Sequence, residues 1–122
     1  MTNLKPRHTP TTYAAAHDIL GTYAAAYDIP GSRSRVPLCY ATALTNGQGD
    51  GPAIRHHCTN IVTYHRDGSI TLNGGGYASR TTADRMNRFT PSHIRVSATS
   101  GMLVVRVGGR LAGDATHGLT VR

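Results

Sequence analysis

The residues best suited to chemistry lie in one segment, Gly74–Arg88, which reads GGGYASRTTADRMNR. Glycines have no Cβ atom, so their backbone N–H groups can approach a ligand closely. A helix N-terminus attracts phosphate because its first amides lack partners within the helix. Arg85 and Arg88 are three residues apart and would share one side of that helix. The segment therefore predicts a nucleic-acid or anion-binding site formed by Gly75, Gly76, Arg80, Thr81, Thr82, Arg85 and Arg88.

The same segment also has a purely structural interpretation. The glycines would then form a bulge or the exit of a strand. The helix after them would be capped by Thr81, with Asp84 three residues later, and would pack through Met86 and Phe89 with its arginines in solvent. The lysine and the GxxxxGK[ST] pattern of a nucleotide-hydrolysing loop are missing. From the sequence, anion binding and a structural role both stay open.

Three histidines and a cysteine, His56, His57, Cys58 and His65, raise the question of a zinc site. Alternate residues of a strand face opposite sides, so an unbroken strand would separate His56 and Cys58 from the other two. His57 and His65 would stand about 26 Å apart at about 3.3 Å per residue. No CxxC or HxxxH spacing is present. We therefore expect no metal site and no cofactor.

Catalytic groups are scarce in this chain. His65 and Asp67, with Arg66 and Arg80, can be drawn as an acid–base set of the kind found in nucleases. An aspartate in a hairpin turn beside a surface histidine explains the same residues. All six acidic residues are aspartates, and no GxSxG motif occurs. We expect no catalytic residues, and an enzyme that uses His65 and Asp67 is the alternative.

The surrounding elements follow from composition and periodicity. Residues 1–11 predict a flexible basic arm. Residues 12–31 hold two copies of a ten-residue repeat, TYAAAHDILG and TYAAAYDIPG, and their alanine content and tyrosine spacing predict a helical segment capped by Thr11 or Thr12. Residues 36–122 predict a β-rich globular domain, with strands over 36–44, 53–65, 69–73, 93–98, 102–107 and 119–121 and a short helix over 82–89. The expected fold class is α+β: a small, mainly antiparallel sheet with one short helix packed on it and an N-terminal helix.

One hairpin can be placed in register from the sequence. Its turn reads RDG and ends at Gly68. A three-residue loop with a left-handed Gly68 pairs Tyr64 with Ile70 and Val62 with Leu72, which gathers four apolar side chains on one face. A two-residue loop would divide them between the two faces. The pattern therefore predicts the three-residue loop. The opposite face is polar apart from Ile61 and is either solvated or a binding surface.

The charge balance suggests an anionic partner. The chain has 122 residues with 13 basic and 6 acidic side chains, a net charge of +7, and twelve of the basic residues are arginines. Such an excess favours nucleic acid or an acidic protein face, although a GC-rich genome would also enrich arginine. No apolar run is long enough to span a membrane, and no signal peptide is apparent. We expect a cytoplasmic protein without a membrane partner.

A resemblance is carried by the segment Thr59–Phe89, TNIVTYHRDGSITLNGGGYASRTTADRMNRF. It resembles a segment of small, largely uncharacterised proteins of actinobacterial phages, above all in the pieces D-G-x-I-T-L-N and T-T-x-D-R-x-N-R-F. Tyr77 stands where that pattern has tryptophan. The resemblance implies a phage accessory protein that acts in the cytoplasm of a bacterial host, and it implies no activity.

Together these observations predict a phage-encoded, non-enzymatic accessory protein that binds an anionic partner, nucleic acid first, through the glycine-rich loop and the arginine cluster. The alternative is a protein–protein module that inhibits a host or defence protein or serves as a small structural or assembly protein. Such a module would use the polar face of the sheet or the Ala/Tyr-rich helix. The partner would then be a host or phage protein, and the sequence does not set the oligomeric state.

Overall fold

The computed structural model describes residues 10–19, 35–39, 42–45, 51–57 and 59–122. Most of the predicted arm and the second copy of the repeat lie outside these residues. The first copy is helical over 13–19, here called α1. Its cap is one of the two expected threonines, since the hydroxyl of Thr12 accepts the N–H of Ala15 at 3.2 Å. One side of α1 enters the core, where Ala16 is fully buried.

Within the described residues, nine strands form two antiparallel sheets. The strands are β1 (Arg35–Cys39), β2 (Thr42–Thr45), β3 (Ala53–His56), β4 (Thr59–Tyr64), β5 (Ile70–Leu72), β6 (Ile94–Thr99), β7 (Met102–Val107), β8 (Arg110–Asp114) and β9 (Leu119–Val121). The first sheet has the order β1-β2-β3-β4-β5-β9, and the second has the order β6-β7-β8. The helix α2 (Arg80–Arg88) connects them. The α+β class with a mainly antiparallel pattern is confirmed.

The sequence predicted six strands in a single sheet. The described residues instead form nine strands in two sheets. The segment 36–44 divides into β1 and β2, and the segment 53–65 divides into β3 and β4. The second division occurs at His57, whose φ of 55° is left-handed and cannot continue a strand. The strand β8 was missed because its pattern of exposure does not alternate.

The hairpin of β4 and β5 has the predicted register. Tyr64 pairs with Ile70 and Val62 with Leu72, and Gly68 has a φ of +94°. All four apolar side chains are buried. The opposite face carries Ile61 among its polar residues, as expected, and this isoleucine is buried.

The helix α2 packs mainly against β6. Its buried residues include Ala83 and Met86, and the C-cap residue Phe89 is also buried. The side-chain amide of Asn87 donates to the carbonyl of Val96 at 2.8 Å and accepts its N–H at 2.7 Å. This pair of bonds satisfies backbone groups at the edge of the second sheet, which would otherwise be open to another strand.

The buried residues of both sheets and both helices form one core cluster. Tyr64 links its parts, because its hydroxyl lies 2.9 Å from the carbonyl oxygen of Pro10 and 2.6 Å from that of Phe89. The first contact ties the chain before α1 to the first sheet, and the second ties the end of α2 to it. Burial raises the pKa of Tyr64 far above its ordinary value, so the hydroxyl stays protonated and donates.

A prediction on acid stability follows from Asp114. Hydrogen bonds from the hydroxyl and N–H of Thr116, and then from the N–H of Leu103, hold the pKa of Asp114 below its ordinary value. A carboxylate with a lowered folded-state pKa adds stability above its unfolded pKa of about 4, and this is lost as the pH falls through the folded pKa. We expect Asp114→Asn to flatten the fall in unfolding free energy below about pH 4, measured by urea denaturation across pH.

The matched control is Asp84→Asn, which removes an exposed carboxylate from the surface of α2. It is expected to change the acid slope less than Asp114→Asn. If Asp114→Asn kept the wild-type slope, the hydrogen bonds to Asp114 would not contribute to acid stability.

Candidate functional site

The start of α2 differs from the prediction in its cap. Ser79, not Thr81, is the N-cap, and its hydroxyl accepts the N–H of Thr82 at 3.1 Å. The helix therefore begins at Arg80, two residues before the predicted start. Ser79 takes the role because its backbone is extended, with φ −90° and ψ 157°, which aims its hydroxyl at the first turn. Thr81 and Thr82 consequently lie inside that first turn.

The three glycines before α2 form a tight turn whose amides are engaged internally. The N–H groups of Gly74 and Gly76 donate to the backbone carbonyls of Ala115 and Thr116, each at 2.9 Å. The N–H of Gly75 donates to the side-chain oxygen of Asn73 at 2.8 Å. A ligand would have to displace these bonds to use the amides of Gly75 and Gly76. The glycines therefore allow the tight turn and its close packing, and they do not supply free amide donors.

Shape is most restrictive at Gly74. A Cβ atom there would lie 2.7 Å from the carbonyl oxygen of Tyr77 and 2.6 Å from a methyl of Leu103. Both distances are closer than real Cβ contacts allow. The absence of a side chain lets the turn pack against Leu103 of the second sheet. Tyr77, which follows the turn, is 69% exposed.

A pocket of about 670 Å³ opens where this turn, the first half of α2 and the break between β3 and β4 meet. Its lining residues are His56, His57, Thr59, Ile61, Gly74, Tyr77, Ser79, Thr81, Thr82 and Arg85. Three residues of the predicted site, Thr81, Thr82 and Arg85, are therefore brought together in one cavity. The other predicted residues are outside its lining, namely Gly75, Gly76, Arg80 and Arg88.

Arg85 is the main source of positive charge in the pocket. Its side chain is only 16% exposed, whereas Arg88 is exposed on the surface. Its chain neighbour Asp84 pairs with it at 3.4 Å and is itself exposed, which makes this a weak pair. The Nε of Arg85 is buried and, among the described residues, has no hydrogen-bond partner. Buried polar atoms normally have partners, so the hydrogen bonding of Arg85 is incomplete in this structure.

Two histidines at the end of β3 form another wall of the pocket. The rings of His56 and His57 meet edge to face with centroids 4.5 Å apart. The Nδ1 of His56 lies 2.8 Å from the hydroxyl of Thr42. Burial, and then the charges of His57 and Arg85, lower the pKa of His56 below its ordinary value of 6.5, so its ring is neutral at pH 7.

The groups considered for metal binding and catalysis are dispersed. His57 begins a break in the strand, so the predicted alternation from His56 to Cys58 does not apply, and Cys58 lies outside the described residues. In the part of the chain that the structure describes, no group of three or more His, Cys, Asp or Glu side chains is placed to hold a metal.

His65 and Asp67 each have other partners. The Nε2 of His65 lies 2.7 Å from the hydroxyl of Thr71. Asp67 accepts the N–H and hydroxyl of Ser69, and its second oxygen pairs with Arg122 at 3.0 Å. Hydrogen bonds from Ser69 are the largest cause of the lowered pKa of Asp67. These are the features of a stabilised hairpin turn.

Comparison with known proteins places this chain in a family. A family model described as Kyanoviridae Gp96 protein matches residues 39–116, more than half of the chain. The chain belongs to the Kyanoviridae Gp96 protein family. It is therefore a member of a phage protein family. Neither the curated proteins nor the solved structures gave a match.

The Gp96 match spans every residue that lines the pocket, from His56 to Arg85. It excludes α1 with its repeat and the strand β9. No helix in the described ranges is long and apolar enough to cross a membrane.

Sequence reasoning missed the pocket residues outside α2, above all His56, His57, Thr59 and Tyr77. The histidines form a zinc candidate in the sequence, but their separation from Arg85 along the chain does not indicate that they share a cavity with it. Tyr77 was weakly indicated as an exposed residue, because an aromatic residue directly after three glycines has few apolar neighbours in the sequence.

Proposed function

We propose that this phage protein is a non-enzymatic accessory protein that binds nucleic acid as an anionic partner, with a phosphate entering the pocket beside Arg85. The observation that carries the proposal is Arg85, a largely buried cation that lines the pocket and whose Nε has no hydrogen-bond partner among the described residues. A guanidinium group offers several donors in a fixed plane, which suits the oxygens of a phosphate. Packing already restricts the side chain of Arg85. Ordering this side chain when a phosphate binds therefore costs less free energy.

Other groups on α2 support the same proposal. Ser79, Thr81 and Thr82 line the pocket. The hydroxyls of Ser79 and Thr82 lie 2.9 Å apart and bond to each other, so the hydroxyl of Thr81 and one of this pair can donate to phosphate oxygens. Arg80 and Arg88 are exposed at the two ends of α2 and can contact neighbouring phosphates of the same strand. The net charge of +7 favours the encounter with a polyanion.

The glycine-rich loop contributes to the proposed site by its backbone conformation. Gly75 and Gly76 bend the chain so that Tyr77 reaches the rim of the pocket, while their amides keep their internal partners. We also infer, from the resemblance in Thr59–Phe89, that the protein acts in the cytoplasm of a bacterial host, with relatives in actinobacterial phages.

The direct test is the substitution Arg85→Ala. We expect it to weaken binding of a fluorescent oligonucleotide about 10- to 100-fold in an anisotropy titration, because a charge-assisted hydrogen bond contributes about 1.5–3 kcal/mol. Wild-type affinity is expected to fall steeply as salt is raised, since each neutralised phosphate releases counterions.

The control is Arg110→Ala, which removes the same charge from the exposed strand β8 outside the pocket. It should weaken binding only slightly. The proposal would be rejected by a flat salt dependence, by an Arg85→Ala variant as tight as the wild type, or by a loss of equal size in both variants.

A second candidate function, a protein–protein module, is favoured by the outer face of the second sheet. Leu111 is 69% exposed there and lies opposite Arg106, and Met102 is exposed on the same face. If this face binds a host or phage protein, Leu111→Asp should abolish capture of that protein from nuclease-treated lysate. Arg85→Ala should leave the capture intact.

A further inference from the structure

The size of the pocket shows that a phosphate alone would not fill it. At about 670 Å³ the cavity lies in the middle of the range of small-molecule sites, which is about 300–1,000 Å³. A single phosphate group beside Arg85 would leave most of that space to water. A larger unit that carries a phosphate at one end would occupy more of this volume.

The lining has two chemically different parts. The residues contributed by α2 and its cap are hydroxyl-bearing or cationic, as in Thr81, Thr82 and Arg85. The end of β3 and the glycine turn contribute three rings, those of His56, His57 and Tyr77. A nucleotide has the same division, with an anionic phosphate at one end and a flat base at the other.

Tyr77 gives the ring side its clearest role. Its side chain is 69% exposed although the ring is apolar and borders the cavity. The short turn after Gly74 fixes its position, since the N–H of Tyr77 donates to the carbonyl of Gly74 at 3.0 Å. Exposed aromatic rings beside a cationic site are the surfaces on which unpaired bases stack.

We propose that the pocket binds one unpaired nucleotide, with its phosphate beside Arg85 and its base stacked on Tyr77. The inference rests on the proposed function and specifies its substrate class. In a duplex the bases are stacked on each other, so only a single-stranded region or a free nucleotide can place a base on Tyr77. The protein should therefore prefer single strands to duplexes of the same sequence.

The experiment uses the full chain and three probes: a labelled single-stranded oligonucleotide of about 12 nucleotides, the duplex of the same sequence, and thymidine monophosphate as a competitor. We expect Tyr77→Ala to weaken single-strand binding about 5- to 100-fold, which corresponds to the contribution of one base–aromatic stack. Duplex binding should change little. Tyr77→Phe keeps the ring and should keep the affinity, and Thr99→Ala, on the second sheet, serves as the control.

The outcomes distinguish a failure of the proposed function from a failure of the nucleotide pocket. If no probe binds in a salt-dependent manner, the proposed function fails. If single strand and duplex bind equally and Tyr77→Ala changes neither, nucleic-acid binding stands and the nucleotide pocket is overturned. Competition by thymidine monophosphate would assign a free nucleotide as the ligand, and single-strand binding without such competition would assign a nucleotide within a strand.

Discussion

Replacing Phe89 by alanine is expected to lower the free energy of unfolding by about 3–5 kcal/mol. Phe89 is fully buried at the C-cap of α2, within the core cluster that joins both sheets. Removing its ring leaves a cavity at the point where α2 is attached to the sheets. Urea denaturation followed by circular dichroism measures the change.

Two variants make the Phe89 result specific. Phe89→Leu retains most of the apolar volume and should cost less than half as much. Leu111→Ala removes an exposed apolar side chain from β8 and should change stability by no more than about 0.5 kcal/mol. Equal effects of Phe89→Ala and Leu111→Ala would contradict the core position of Phe89.

Replacing Tyr64 is expected to lower the free energy of unfolding by a comparable amount, and the hydroxyl and the ring contribute separately. Tyr64→Phe removes the hydroxyl that contacts the carbonyls of Pro10 and Phe89, and leaving buried acceptors unpaired costs about 1–3 kcal/mol. Tyr64→Ala also removes a fully buried ring, which adds about 3–5 kcal/mol. We expect Tyr64→Phe to fold with reduced stability and Tyr64→Ala to be largely unfolded at room temperature.

The control for the hydroxyl is Tyr77→Phe, which makes the same chemical change at an exposed ring. It should leave the unfolding free energy unchanged. A Tyr64→Phe variant as stable as Tyr77→Phe would show that the two carbonyl contacts contribute nothing. Because Tyr64 and Phe89 are in contact, their effects should not be additive in the double variant.

Parts of the fold that depend on neighbouring residues were predictable. The register of β4 and β5 followed from one left-handed glycine and the need to bury Val62 and Leu72 together. The buried positions Met86 and Phe89 followed from helical spacing. Both arguments work because turn chemistry and side-chain periodicity act over a few residues.

Parts of the fold that depend on distant residues were not predictable. The break at His57 and the division into two sheets follow from which strands pair, and local propensity does not contain that information. The choice of Ser79 as the cap was ambiguous because several hydroxyl residues adjoin the start of α2. The strand β8 is defined by its partner β7, with a bulge after Val105, and its own pattern is too irregular to identify it.

The candidate site shows the same division most clearly. The sequence by itself determined that Thr82, Arg85 and Arg88 lie on one short helix, because helical spacing places them there. Only the tertiary structure decided that Arg85 turns into a cavity with His56, His57 and Tyr77, and that the glycine amides are already engaged. The physical reason is that a pocket is a property of packed elements: β3 pairs with β2 and β4 while α2 docks on β6, and these long-range contacts bring the walls together.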